Sequence, residues 1–174
     1  MSGLAWDEGD VPVLHWRGAP AGVSVAFTSR RGGASLGPYS SLNLGALTAD
    51  DADRVAENRR RAVSAAGGDP AAATMAWQVH GRDVREVTEE PAGGRFLEPG
   101  AEPFPRSDGL VTSLRARPMM LLTADCIPVA IARADGGRLA ILHAGWRGLE
   151  AGIVGAGAEA VGGAIVGAVG PGAG

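Results

Sequence analysis

The chain has 174 residues and a mass of 17.5 kDa, the size of one domain, so no second complete core is expected. Apolar residues make up 45% of it, but 32 of them are alanine, and its 28 glycines are roughly twice the usual share of ~7%, which excludes a regular helical bundle. All 16 basic residues are arginine and the formal net charge is −3, which argues against a nucleic-acid partner.

Met1 to Trp16 carries Asp7, Glu8 and Asp10 and lacks the basic and apolar regions of a secretory leader, so a cytoplasmic location is expected. Val23 to Thr28 alternates as a strand and runs into a long irregular stretch from Arg30 to Gly45, and such loops tend to be functional. From Thr48 or Asp50 to Ala66 the spacing of Val55, Ala56, Ala62, Val63 and Ala66 predicts a helix, with acids in its first turn and arginines in its last. Asp69-Pro70 starts a short helical turn. Met75 to Val79 and Val84 to Thr88 read as strands, and Pro91 to Arg106 as a Pro/Gly-rich excursion. Gly109 to Thr112 and Pro118 to Thr123 are apolar runs of buried-strand type. Pro128 to Ala132 and Arg138 to Leu142 flank Ala134-Asp135-Gly136-Gly137, a hairpin signal. Leu149, Ile153, Val154 and Val161 suggest a last helix, and Ala164 to Val169 a buried last strand. Ala151 to Gly174 has Glu159 as its only charge, but its nine glycines and that carboxylate argue against a membrane span. The whole reads as a mixed α/β domain, mainly β in its middle.

A single cysteine, Cys126, excludes an intrachain disulfide framework and every CxxC motif. His80, Cys126 and His143 each follow a predicted strand, at its carboxyl end, where loops converge on a common crevice. His, Cys and His are what a catalytic zinc site needs, with a fourth position left open. Spacings of 46 and 17 residues carry no short-range signature, and each residue also has a plain structural reading. Free cysteine is among the most buried residue types, and a histidine among apolar residues is often just a satisfied polar group. His15 takes that second reading. Glycines beside both site histidines permit close backbone approach, and Arg147 has the planar fork that suits phosphate or carboxylate. Asp125 and Asp108 are candidates to orient an imidazole or handle a proton, with a turn or cap role as the alternative.

The ordered motifs are Phe27-Thr28-Ser29-Arg30 with Gly32-Gly33, Gly37-Pro38-Tyr39, Ser41-Leu42-Asn43-Leu44-Gly45, Glu57-Asn58-Arg59, Gln78-Val79-His80-Gly81, Asp108-Gly109-Leu110-Val111-Thr112, Thr123-Ala124-Asp125-Cys126-Ile127-Pro128-Val129 and His143-Ala144-Gly145-Trp146-Arg147-Gly148. Over residues 23 to 174 the chain resembles the family of multicopper polyphenol oxidase or laccase domain proteins, which includes purine nucleoside phosphorylases and the peptidoglycan editing factor. The resemblance implies an α/β fold with sheets sandwiched between helices, similar to toxin deamidases that use a Cys and a His. It implies one zinc held by His80, Cys126 and His143. Family members run longer, so residues 1–174 are expected to be a single incomplete domain whose last third is absent.

Three histidines cannot supply a four-copper oxidase, so zinc is the expected metal and copper the alternative. The resemblance implies phosphorolysis of adenosine, inosine, guanosine and methylthioadenosine, with adenosine deamination alongside. In that reading Cys126, His80, His143 and Asp125 are catalytic, Arg30 and Arg147 contact anions, and Asn43 and Gln78 line the pocket. Purine nucleoside and phosphate are then the partners; no membrane or protein partner follows from the sequence. Three alternatives stay open: a Cys/His hydrolase, including peptidoglycan-precursor editing; laccase-like oxidation; and an inactive fragment.

Overall fold

The structure is a computed structural model that describes residues 3–88 and 104–172. Among the described residues ten strands and three α-helices follow in chain order: β1 (Leu4–Asp7), β2 (Val13–Trp16), β3 (Ala26–Thr28), α1 (Ala52–Ala65), β4 (Thr74–Met75), β5 (Val84–Glu86), β6 (Gly109–Thr112), β7 (Met119–Met120), β8 (Ile127–Arg133), β9 (Leu139–Ala144), α2 (Trp146–Ala151), α3 (Ile153–Val161) and β10 (Ile165–Val169). They form an antiparallel three-stranded sheet β1-β2-β3, a mixed five-stranded sheet β10-β8-β9-β6-β5, and a parallel pair β4-β7.

Side-chain alternation stacks these elements in four layers. On one face of the five-stranded sheet Val111, Ile131, Leu142 and Ala144 pack against Ile153 and Val161 of α3. On its other face Ala130, Ala132 and Ala168 meet Trp16 and Phe27 of the three-stranded sheet and Val25 just before β3. The far face of that small sheet, through Val13 and Ala26, meets Leu42 and Ala65 at the end of α1. The two larger sheets therefore lie between α2–α3 and α1, as the family resemblance implies.

Several elements differ from the sequence expectation. The acidic N-terminal stretch forms the β1–β2 hairpin, which its composition did not announce. The strand expected at Met75–Val79 stops at Met75, because the Trp77 backbone pairs instead with Pro105 and Ser107. The run at Pro118–Thr123 yields only two strand residues, partly exposed. Helix α1 runs on past its arginines, which lie mid-helix, and Asp51 caps it by accepting from the N–H groups of Asp53 and Arg54. The last helix breaks at Gly152, whose φ of +91° favours glycine, so the chain turns between α2 and α3. The last strand is not buried: β10 pairs with β8 alone among the described residues, and Ile165, Val166 and Val169 are exposed. The expected excursion lies outside the described residues over 91–103. Residues 153–172 form α3 and β10, and among the described residues no helix is long and apolar enough to cross a membrane.

Candidate metal centre

His143 is the next-to-last residue of β9 and is buried. Cys126 directly precedes β8. The antiparallel register pairs Pro128 with His143 and Ile127 with Ala144, so the start of β8 lies beside the end of β9. This corrects the expectation that three carboxyl strand ends converge. Two of the residues meet because they flank the open end of one hairpin, where a strand beginning and a strand ending are neighbours. His80 comes from the link between β4 and β5, exposed and with φ of +62°.

The ligating atoms of His80, Cys126 and His143 all lie within 4.8 Å of one another, and the two imidazoles are 4.8 Å apart at 72°. A tetrahedral zinc with bonds of about 2.0–2.3 Å sets its ligand atoms roughly 3.5 Å apart. The trio therefore fits one ion after a contraction of at most about 1.3 Å, with the exposed His80 the least enclosed of the three. Gly145 forms the wall of this space. A Cβ there would stand 3.0 Å from both Cys126 Sγ and His80 Cδ2. Nitrogen and sulfur donors with no fourth protein ligand among the described residues suit zinc in an open site.

Of the two candidate aspartates, Asp108 is the one hydrogen-bonded to the segments that carry His80 and His143. It lies just before β6, is completely buried, and accepts hydrogen bonds from the backbone N–H groups of Val79 (3.1 Å), His80 (2.8 Å) and Gly81 (2.7 Å). Its Oδ1 is also 2.9 Å from Nδ1 of His143. Burial alone would raise its pKa; the bonds to His143 and to the three amides outweigh burial and hold it below the ordinary carboxylate value. Asp125, beside Cys126, is exposed.

The four residues assigned to substrate fall in different places. Arg30 and Asn43 line a cavity of about 850 Å³ enclosed by β3, the end of α1, the 112–124 segment and the β8–β9 hairpin. That cavity reaches Ala124 and Leu142 but none of the three ligating residues. Arg30 donates to the Ser40 carbonyl, and Asn43 is bonded to Thr48, Asp50 and the Gly45 amide. Gln78 lies outside the cavity, its amide spent in two bonds to the Leu122 backbone, so it braces the His80 segment against the 118–124 run. Arg147 is the second residue of α2, its guanidinium over the Trp146 ring at 4.3 Å. The glycine beside His143 that the sequence marked for close approach is Gly145, at the wall of the centre; a residue that sequence reasoning did not single out for the site is Asn58, which pins the Asn43 loop from α1.

A family model described as multi-copper polyphenol oxidoreductase laccase matches residues 24–173. Purine nucleoside phosphorylase YfiH of Shigella flexneri is 41% identical over 135 residues, covering 78% of this chain and 51% of that protein. A purine nucleoside phosphorylase of Streptomyces coelicolor is 43% identical over 140 residues, covering 80% of this chain and 54% of its own length. The crystal structure of YlmD from Geobacillus stearothermophilus superposes with a TM-score of 0.79 at 33% identity, covering 92% of this chain and 62% of that one. The chain thus spans about half the length of the curated relatives it matches.

Proposed function

The chain belongs to the multi-copper polyphenol oxidoreductase laccase family, and on that premise we propose that it carries the zinc centre of a purine nucleoside phosphorylase that also deaminates adenosine. The observation that carries the reading is the convergence of His80, Cys126 and His143 on one point, in a chain over 40% identical to proteins named as purine nucleoside phosphorylases. Residues 1–174 read as part of one domain, and adenosine, inosine, guanosine and methylthioadenosine are the proposed substrates.

Zinc in an open three-ligand site supplies Lewis acidity and activates water near neutral pH. The chain's own residues supply the rest. His80, Cys126 and His143 would hold the ion. Arg30 at the cavity and Arg147 at the start of α2 are the cations that bind phosphate and stabilise charge developing on it. Asn43, fixed by three bonds, offers an oriented edge at the cavity wall. Gln78 acts here by holding the His80 segment in place. Asp125, exposed beside Cys126, is the proposed proton carrier to substrate.

The family description names copper, but a chain with three histidines, of which His15 lies away from the centre on β2, lacks the ligands of a multicopper cluster. A Cys/His hydrolase, including one acting on peptidoglycan precursors, is the second reading, favoured by one observation: Cys126 is partly exposed and flanked by both imidazoles.

Elemental analysis and an inosine assay separate these readings. One zinc per chain and release of hypoxanthine only when phosphate is present, both lost in Cys126→Ala, are the expected results. Copper in multiples, absence of metal, or base release independent of phosphate would overturn the proposal, the last two in favour of the hydrolase.

A further inference from the structure

Two of the three ligating residues are controlled by one side chain that ligates nothing. Three consecutive amides, those of Val79, His80 and Gly81, turn inward on the Asp108 carboxylate. Such a run of N–H groups makes a concave anion nest. Here the anion is internal, and the nest holds His80 at a φ of +62°, a region that residues other than glycine seldom occupy. On its other side the same Oδ1 meets Nδ1 of His143 at 2.9 Å, and the Asp108 carbonyl accepts the His143 backbone N–H at 2.7 Å.

An ionised carboxylate, here already accepting from three backbone N–H groups, is an acceptor only, so the hydrogen shared with His143 stands on Nδ1. The Nε2 of His143 then keeps its lone pair. Neutral histidine has two tautomers, and the bond at one ring nitrogen decides which nitrogen is free to ligate.

We propose that Asp108 is the positioning residue of the centre: it fixes His143 as the Nδ1–H tautomer that presents Nε2, and it clamps the backbone that places His80, so both ligands are set before an ion arrives. The proposal rests on the reading of the three residues as a metal centre. Asparagine cannot replace this carboxylate, because its NH2 would face N–H donors and only one oxygen would remain to accept.

The test uses two measurements. In metal-free wild-type protein labelled with 15N-histidine, at about pH 8 and so above the ordinary imidazole pKa, long-range 1H–15N correlation is expected to show His143 as one tautomer, protonated on Nδ1. Protonation on Nε2, or a mixture in exchange, overturns the proposal, and this measurement needs no variant to fold. In Asp108→Asn with a native circular dichroism spectrum, zinc affinity read by competition with a chromophoric chelator is expected to fall about 10- to 100-fold. An unchanged affinity overturns the proposal. Wild-type protein with the Nδ1–H tautomer that takes up no zinc removes the metal centre and leaves the positioning of His143 standing. Zinc uptake with His143 protonated on Nε2 sinks the role of Asp108 alone.

Discussion

Gly145 has φ of −72° and ψ of 162°, a conformation open to any residue, so backbone freedom is not what the position demands. Space is. A Cβ would reach to 3.0 Å from Cys126 Sγ and from His80 Cδ2, tighter than ordinary contact, and both atoms belong to side chains that can shift. Gly145→Ala is therefore expected to fold normally. The gain of about 0.4–1 kcal/mol from stiffening the unfolded chain offsets part of the crowding, and the melting temperature should move by no more than a few degrees. The displaced ligands should lower zinc affinity by about tenfold or more, read by isothermal titration; unaltered affinity would mean that Gly145 is not the wall of the site. At this scale the site was largely legible. The residue types His, Cys and His pointed to a metal, and glycine next to His143 pointed to close approach. Choosing between Asp108 and Asp125 was not, because both are aspartates near a ligating residue, and only the fold shows that one is buried on two histidine segments while the other faces solvent.

Elements explain what single residues cannot. Cys126 and His143 are 17 apart in sequence, and it is the register of the β8–β9 hairpin that joins them. The hairpin itself is readable from Asp135-Gly136-Gly137, yet the Pro118–Thr123 run looks like a strand leading to Cys126 and so suggests a strand end there. That run pairs through only two residues, since its partner β4 is equally short and Trp77 is engaged with Pro105 and Ser107. Periodicity marked α1 well for the same reason that it packs well: its buried positions recur at helical spacing. What periodicity hid is the polar work of that buried face. Asn58 is fully buried and donates to Ser35 Oγ and to the Asn43 carbonyl, both at 2.8 Å, while its Oδ1 accepts from the Ala34 amide at 2.7 Å. Arg59 beside it donates to the Leu44 carbonyl. One turn of helix thus holds a loop that has little regular structure of its own. Asn58→Ala leaves several of these groups buried without a partner, at about 1–3 kcal/mol each where water cannot enter. We expect a loss of about 3 kcal/mol in urea unfolding and faster amide exchange over residues 34–45, with exchange over β8 and β9 unaffected short of global unfolding. Equal acceleration everywhere would place Asn58 in the global core instead of the loop.

For the molecule as a whole, the five-stranded sheet has, among the described residues, one edge at β5 and the other at β10, and apolar side chains are exposed along the second. The ladder to β8 fixes which groups are spent: Ala134 N–H donates to Ala164 O, and Gly170 N–H to Pro128 O. In an antiparallel pair these alternate, so the even-numbered residues of β10 face β8 and the amides of Ile165, Gly167 and Val169 point away from it. Ile165 is 42% exposed and Val169 60%. Unpaired strand edges with apolar side chains recruit other strands, and no charge, proline or bulge interrupts this one. The 174-residue chain on its own is therefore expected to associate as concentration rises, with a sedimentation-equilibrium mass above 17.5 kDa. Val169→Pro removes only an outward amide and an exposed side chain, so it should restore the monomer while leaving the melting temperature within a few degrees. A wild-type chain that stays monomeric across the same concentrations would show that the edge is protected in solution, and a Val169→Pro variant that associates equally would move the contact away from β10.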